Sequence, residues 1–106
     1  MELSIIIKGV VANKLKKLAK ERKLSHPNML RAEGEALLKK LENYSVYSIT
    51  TDGNFTSVLI AHQGYGSFIG VAKRNPKDAY NAKRGEYLAA SRAVHRAVHD
   101  TLKDLL

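Results

Sequence analysis

Three observations in this sequence predict an α+β fold. Residues 10–43 and 82–106 repeat their apolar positions at the helical period. Residues 44–73 between them turn to β-branched and aromatic side chains broken by glycine-containing turns. The chain is short, 106 residues and 44% hydrophobic, so it can bury one modest core, or two small ones if a partner chain completes the first. The expected order is an N-terminal strand-helix-helix, a three-stranded antiparallel meander and a long C-terminal helix. The change of texture at Asn43-Tyr44 divides the chain into segments 1–43 and 44–106.

Leu3, Ile5 and Ile7 alternate with Glu2, Ser4, Ile6 and Lys8, the period of a short strand that Gly9 would end. Val11, Leu15, Leu18 and Ala19 then follow helical spacing, with Lys14, Lys16, Lys17, Lys20, Arg22 and Lys23 filling the outside. Leu24-Ser-His-Pro27 breaks this helix, and Ser25 as N-cap with Pro27 in the first turn begins another. Met29, Leu30, Leu37, Leu38 and Leu41 line that second helix to about Asn43. Gly34 within it is a poor helix former and is expected where two elements pack closely.

Tyr44 to Thr50 and Phe55 to Ala61 read as strands joined by a hairpin turn over Thr51-Asp-Gly-Asn54. A looser turn over His62-Gln-Gly-Tyr-Gly66 leads to a third strand, Ser67 to Lys73, and short connections make the three an antiparallel meander. Arg74 to Tyr80 is turn-rich: Asn75 and Asp78 can bond nearby backbone and Pro76 fixes the bend. Asn81 or Asp78 is the expected cap of the last helix. Its inward stripe is Tyr87, Ala90, Val94, Ala97, Val98, Leu102 and Leu105, with Arg92, His95, Arg96, His99 and Lys103 outside.

Eighteen Lys and Arg against ten Asp and Glu give a formal charge of +8, and both segments are cationic. Such a field favours anionic partners. There is no cysteine, which excludes disulfides, thiolate metal sites and a Cys nucleophile, and fits an intracellular setting. The apolar run near Met1 is too short to span a bilayer and no signal pattern follows it, so the expectation is a cytoplasmic protein without a membrane partner.

The first 43 residues, with Ser4-Ile-Ile-Ile-Lys8, Leu15 to Ser25 and Met29 to Leu38, resemble a ribbon-helix-helix module of the Arc and Met repressor kind. The resemblance implies a homodimer or higher homo-oligomer whose paired strands enter the DNA major groove, with Ser25 and His26 near a phosphate. This chain departs from the family at Ile6, where a polar or basic side chain is usual, and at Lys8-Gly9, where a proline is usual. A ribbon presenting Glu2 and Ile6 would read bases poorly, which suits dimerisation better than base recognition. In the second segment, Gly70-Val-Ala-Lys-Arg-Asn-Pro-Lys-Asp78 followed by Gly85-Glu-Tyr-Leu-Ala-Ala-Ser-Arg-Ala93 is similar to small bacterial proteins of unknown function with a double-stranded-RNA-binding-domain-like fold. It is similar too to a phage family that blocks Thoeris defence by sequestering a cyclic ADP-ribose signal. The Lys-Lys-x-x-Lys start of the last helix that true double-stranded-RNA binders use is absent, Lys83-Arg84 standing in its place, so DNA is favoured over RNA.

Lys73, Arg74, Asn75, Lys77, Lys83 and Arg84 crowd a turn before a helix N-terminus, where the helix dipole and free amides already favour an anion. Arg92, two turns on, can add a planar fork. The competing use is structural: Asn75 and Asp78 fix the turn and Arg92 pairs with Glu86 or Asp100. The helix bearing Lys14, Lys16, Lys17 and Lys20 is a second candidate, able to neutralise several phosphates without reading sequence, or simply a solvated face. Tyr65 and Phe68 can stack a base or serve as hairpin tip and core. His95 and His99 share the i, i+4 spacing of metal ligands but have no third ligand marked out. Catalytic triads, carboxylate pairs and phosphate-loop glycines are missing, so neither an enzyme nor a cofactor is expected. The leading expectation is a non-enzymatic, dimeric nucleic-acid-binding protein of the kind that serves as a phage or mobile-element regulator. The alternatives are an anti-defence protein that captures a cyclic nucleotide, or one that binds and inhibits a host nucleic-acid-handling enzyme. Either phage reading would place it in the host cytoplasm.

Overall fold

The computed structural model describes residues 2–25, 30–62, 66–75, 77 and 81–105. Their order is α1 (Leu3–Glu21), α2 (Arg31–Leu41), β1 (Ser45–Asp52), β2 (Phe55–His62), β3 (Gly66–Lys73) and α3 (Ala82–Leu105). The fold is α+β: three helices and one antiparallel sheet of order β1-β2-β3.

The expected N-terminal strand is helix. Leu3, Ile6, Ile7, Val10 and Val11 are buried while Ile5 is 63% exposed, and these positions continue the helical stripe to Ala19. A run of three isoleucines satisfies a two-residue and a 3.6-residue period alike, and burial decides between them. As a strand, the segment would need a pairing partner; as a helix, it sets five aliphatic side chains into the core shared with α2 and α3. That burial outweighs the weak helix propensity of β-branched residues. Gly9 is therefore mid-helix rather than a strand stop.

The end of α1 is closed by paired backbone bonds. Leu24 N donates to Ala19 O at 2.8 Å and Lys23 N to Lys20 O at 3.2 Å, with Lys23 in the left-handed region at φ 56°. This is a Schellman closure with lysine where glycine is usual. The second helix begins later than expected, at Arg31 with Leu30 in the N-cap position, so Ser25 does not cap it; His26, Pro27 and Met29 lie outside the described residues.

The meander forms as expected. Asp52 pairs with Phe55 across a two-residue turn, Gly53 taking φ 60°, and Ser45 to Asp52 run antiparallel to β2 with a bulge between Val46 and Ser48. Val58 and Ile60 on β2, with Phe68, Gly70 and Ala72 on β3, face α3. A Cβ on Gly70 would collide with Ala89 O and Ala93 N, so the helix backbone lies directly on this strand. Ala89, Ala90, Ala93, Val94, Ala97, Val98 and Leu102 are all buried, and their small size permits that approach. Tyr87, expected on the inward stripe, is 54% exposed, and Ala89 and Ala93 take the sheet-facing positions. On the other side of the core, α1 and α2 pack on α3 and on each other. Gly34 leaves room for Leu15, whose Cδ1 would stand 2.6 Å from a Cβ there. One apolar cluster draws on both segments, 1–43 and 44–106.

Candidate functional site

The antiparallel meander brings the β1-β2 turn beside the C-terminal end of β3, and α3 begins next to both. Arg74 N donates to Asn54 O at 2.7 Å, extending the β2-β3 ladder by one rung, and Arg74 Nη2 donates to Asn54 Oδ1 at 3.1 Å. Asn81 caps α3: its Oδ1 accepts from Arg84 N at 3.1 Å, while its carbonyl accepts from Gly85 N at 3.2 Å. Gly85 lets the first turns of α3 settle against Thr56, whose Oγ1 would lie 3.1 Å from a Cβ there.

These elements enclose an open cleft of about 500 Å³ lined by Lys73, Arg74, Asn75, Arg84, Asn54 and Asn81, with Thr51 and Thr56 on its strand side. Two guanidiniums, Arg74 and Arg84, and three side-chain amides thus meet where α3 begins, while the Lys73 ammonium lies over the Phe55 ring on the face of β3 away from α3. The cleft's polar rim suits an anion, since guanidinium groups donate several charge-assisted hydrogen bonds and the positive end of the helix dipole adds to them. The described wall is not wholly available, because Arg74 is already tied to Asn54.

Other expected residues make local contacts or lie outside the cleft. Asn75 Oδ1 accepts from Lys77 N at 3.0 Å, which is the turn-fixing role weighed for it. Lys77 is exposed and lines no part of the cleft. Lys83 points to a separate groove with Glu2, Ile5, Ile6, Glu86 and Tyr87. Arg92 Nη1 donates to Val71 O at 2.6 Å, so its described partner is strand backbone rather than Glu86 or Asp100. Asp78, Pro76 and Tyr65 lie outside the described residues.

Lys16, Lys17 and Lys20 are exposed on α1 and Lys14 is half-buried. Among the described residues, the ion pair is Arg31 to Glu35 at 3.1 Å, and none of these lysines has a carboxylate within bridging distance. Lys17 lies eleven residues beyond Ile6, which borders the groove at the start of α3, and this places it roughly 17 Å further along the helix axis. The lysine face and the cleft are therefore separate cationic surfaces.

Sequence reading missed Asn54 and Phe55. The register Phe55↔Lys73 was the available signal, because it puts Asn54 opposite Arg74 and sets Lys73 Nζ 5.6 Å from the Phe55 ring centroid. Among the described residues, no group of three His, Cys, Asp or Glu could hold a metal ion, and no helix is long and apolar enough to cross a membrane. No protein-family model, curated protein or solved structure matches this chain.

Proposed function

We propose that this is a non-enzymatic nucleic-acid-binding protein that engages the phosphate backbone through two cationic surfaces. The observation that carries the reading is their separation. Lysines without a bridging carboxylate at the C-terminal end of α1 form a diffuse surface, and a focused cleft at the start of α3 holds Arg74 and Arg84. A backbone passing over both meets several positive charges in succession, and each neutralised phosphate releases counterions. Affinity should then be largely sequence-independent and steeply salt-dependent. With residues 3–21 helical, the paired ribbon implied by the repressor resemblance has no strand to form it, so major-groove reading by that device is not part of the proposal. The order α2-β1-β2-β3-α3 supports the double-stranded-RNA-binding-domain-like resemblance, with α1 as an addition. Fluorescence anisotropy with a labelled DNA duplex at low ionic strength tests the proposal. Salt-sensitive binding is expected, and its absence would sink the idea.

The dimensions of the cleft favour a second reading. A volume of about 500 Å³ falls within the range of pockets for single small ligands. Three asparagines beside two arginines suit a cyclic nucleotide, whose base edges and phosphates require both kinds of group. Calorimetry with cyclic dinucleotides and cyclic ADP-ribose tests this reading: a stoichiometric complex weakened by Arg84→Ala supports it, and no heat with any of them rules it out.

A further inference from the structure

The helices cover one face of β2 and β3 and leave the other face of the sheet bare, β1 having no helix packed on it among the described residues. On that bare face the cross-strand rows are Asp52, Phe55, Lys73; then Thr50, Ser57, Val71; then Ser48, Leu59, Ile69. Phe55 is 46%, Ile69 44% and Val71 41% exposed, although they are large apolar side chains. Charge is nearly absent: of the 28 Lys, Arg, Asp and Glu residues in the chain, only Asp52 and Lys73 fall within residues 45–73. A phosphate backbone has little to hold there.

We infer that this face docks a second copy of the same chain, β1 of each over β3 of the other, with Asp52 of each opposite Lys73 of its partner. The charge pattern carries the inference. Asp52 and Lys73 stand at the same end of the sheet on opposite outer strands, with Phe55 between them. Within one chain their strands are ~10 Å apart, and no ion pair joins them among the described residues. A two-fold axis lying between two such sheets and running along β2 exchanges β1 and β3 while keeping the same ends together. Asp52 then meets Lys73 twice, Phe55 meets Phe55, and Leu59 meets Leu59. Stacked sheets ~10 Å apart with strands crossing at ~30° accommodate this. Edge-to-edge pairing through β3 is opposed, because Arg92 already occupies the Val71 carbonyl. Three strands ~4.8 Å apart and eight residues long give a face of roughly 400 Å², about half of what a standard interface buries per partner. The dimer is therefore weak and concentration-dependent.

Sedimentation velocity across a protein concentration series tests this with the native chain, Asp52→Lys, Lys73→Asp and an equimolar mixture of the two variants. All the altered side chains are exposed, and far-UV circular dichroism verifies folding. The native chain should pass from monomer to dimer, and each variant alone should remain monomeric, since like charges then face one another. The mixture should recover the native dimer, because the Asp52→Lys chain presents cations at both positions and the Lys73→Asp chain presents carboxylates at both. Val71→Lys should weaken association at least tenfold by placing a charge in the apolar contact. A native chain monomeric at every concentration would overturn the inference. So would variants that dimerise like the native chain, or a mixture that stays monomeric.

Discussion

Arg92 on α3 donates a 2.6 Å hydrogen bond to the carbonyl of Val71, at the free edge of β3. A guanidinium expected from the sequence to grip phosphate thus fastens helix to strand, and a bond of this kind also blunts an open sheet edge. Arg84, by contrast, lines the cleft and lends only its backbone to the helix cap.

The two arginines should consequently separate in experiment. Arg92→Ala should lower stability by about 1 kcal/mol, a few degrees in Tm, and change duplex affinity little. Arg84→Ala should do the reverse. Thermal melts and anisotropy titrations on both variants check this, and equal effects on affinity would return Arg92 to the binding surface.

Gly9 is exposed in the middle of α1, and nothing lies within 4 Å of where its Cβ would be. Gly9→Ala should stabilise the protein by roughly 0.5–1 kcal/mol through helix propensity alone. Urea denaturation reads this directly, and an unchanged or lower midpoint would contradict a helix at this position.

Gly70 presents the opposite case, because its missing side chain is where the α3 backbone lies. Gly70→Ala should cost on the order of 3 kcal/mol or prevent folding, since neither the carbonyl of Ala89 nor the amide of Ala93 can yield as a side chain would. A stable Gly70→Ala protein with an unchanged melt would refute the close contact.

Tyr44 packs 5.5 Å from the His62 ring and 6.0 Å from Phe68. Burial, helped by the negative charge of Asp100, raises its phenol above the ordinary value of about 10. The unfolded chain therefore loses this proton first, and above about pH 10 the folded state binds more protons than the unfolded one. Tyr44's contribution to stability is full below that pH and is lost as pH rises through the folded value. Urea melts between about pH 8 and 11 should show a decline that is shallower in Tyr44→Phe; identical curves would remove Tyr44 as its source.

Much of this architecture could be read from the residues. The Asp52-Gly53 turn, the three strands and the length of α3 are local signals, and Asn81 caps α3 as expected. The segment Leu3 to Ile7 was ambiguous because consecutive isoleucines fit either period, and only the surface of α3 shows which side chains are buried. The cleft was half legible. Arg74, Asn75 and Arg84 are close in sequence and meet in space, Asn54 joins them through strand register, and Lys73 borders the cleft but carries its ammonium over Phe55 on the other face. Lys83 points away from the cleft, to the groove it shares with Ile5 and Tyr87.

The most direct test of phosphate-backbone binding is the slope of log affinity against log salt for a DNA duplex. It should be compared between the native chain and a Lys16→Ala, Lys17→Ala, Lys20→Ala variant. Each phosphate contact contributes about −0.9 to that slope, so losing three lysines should flatten it by roughly two to three units and weaken binding similarly on unrelated duplex sequences. A native slope near zero, or a triple variant with the native slope, would contradict the account.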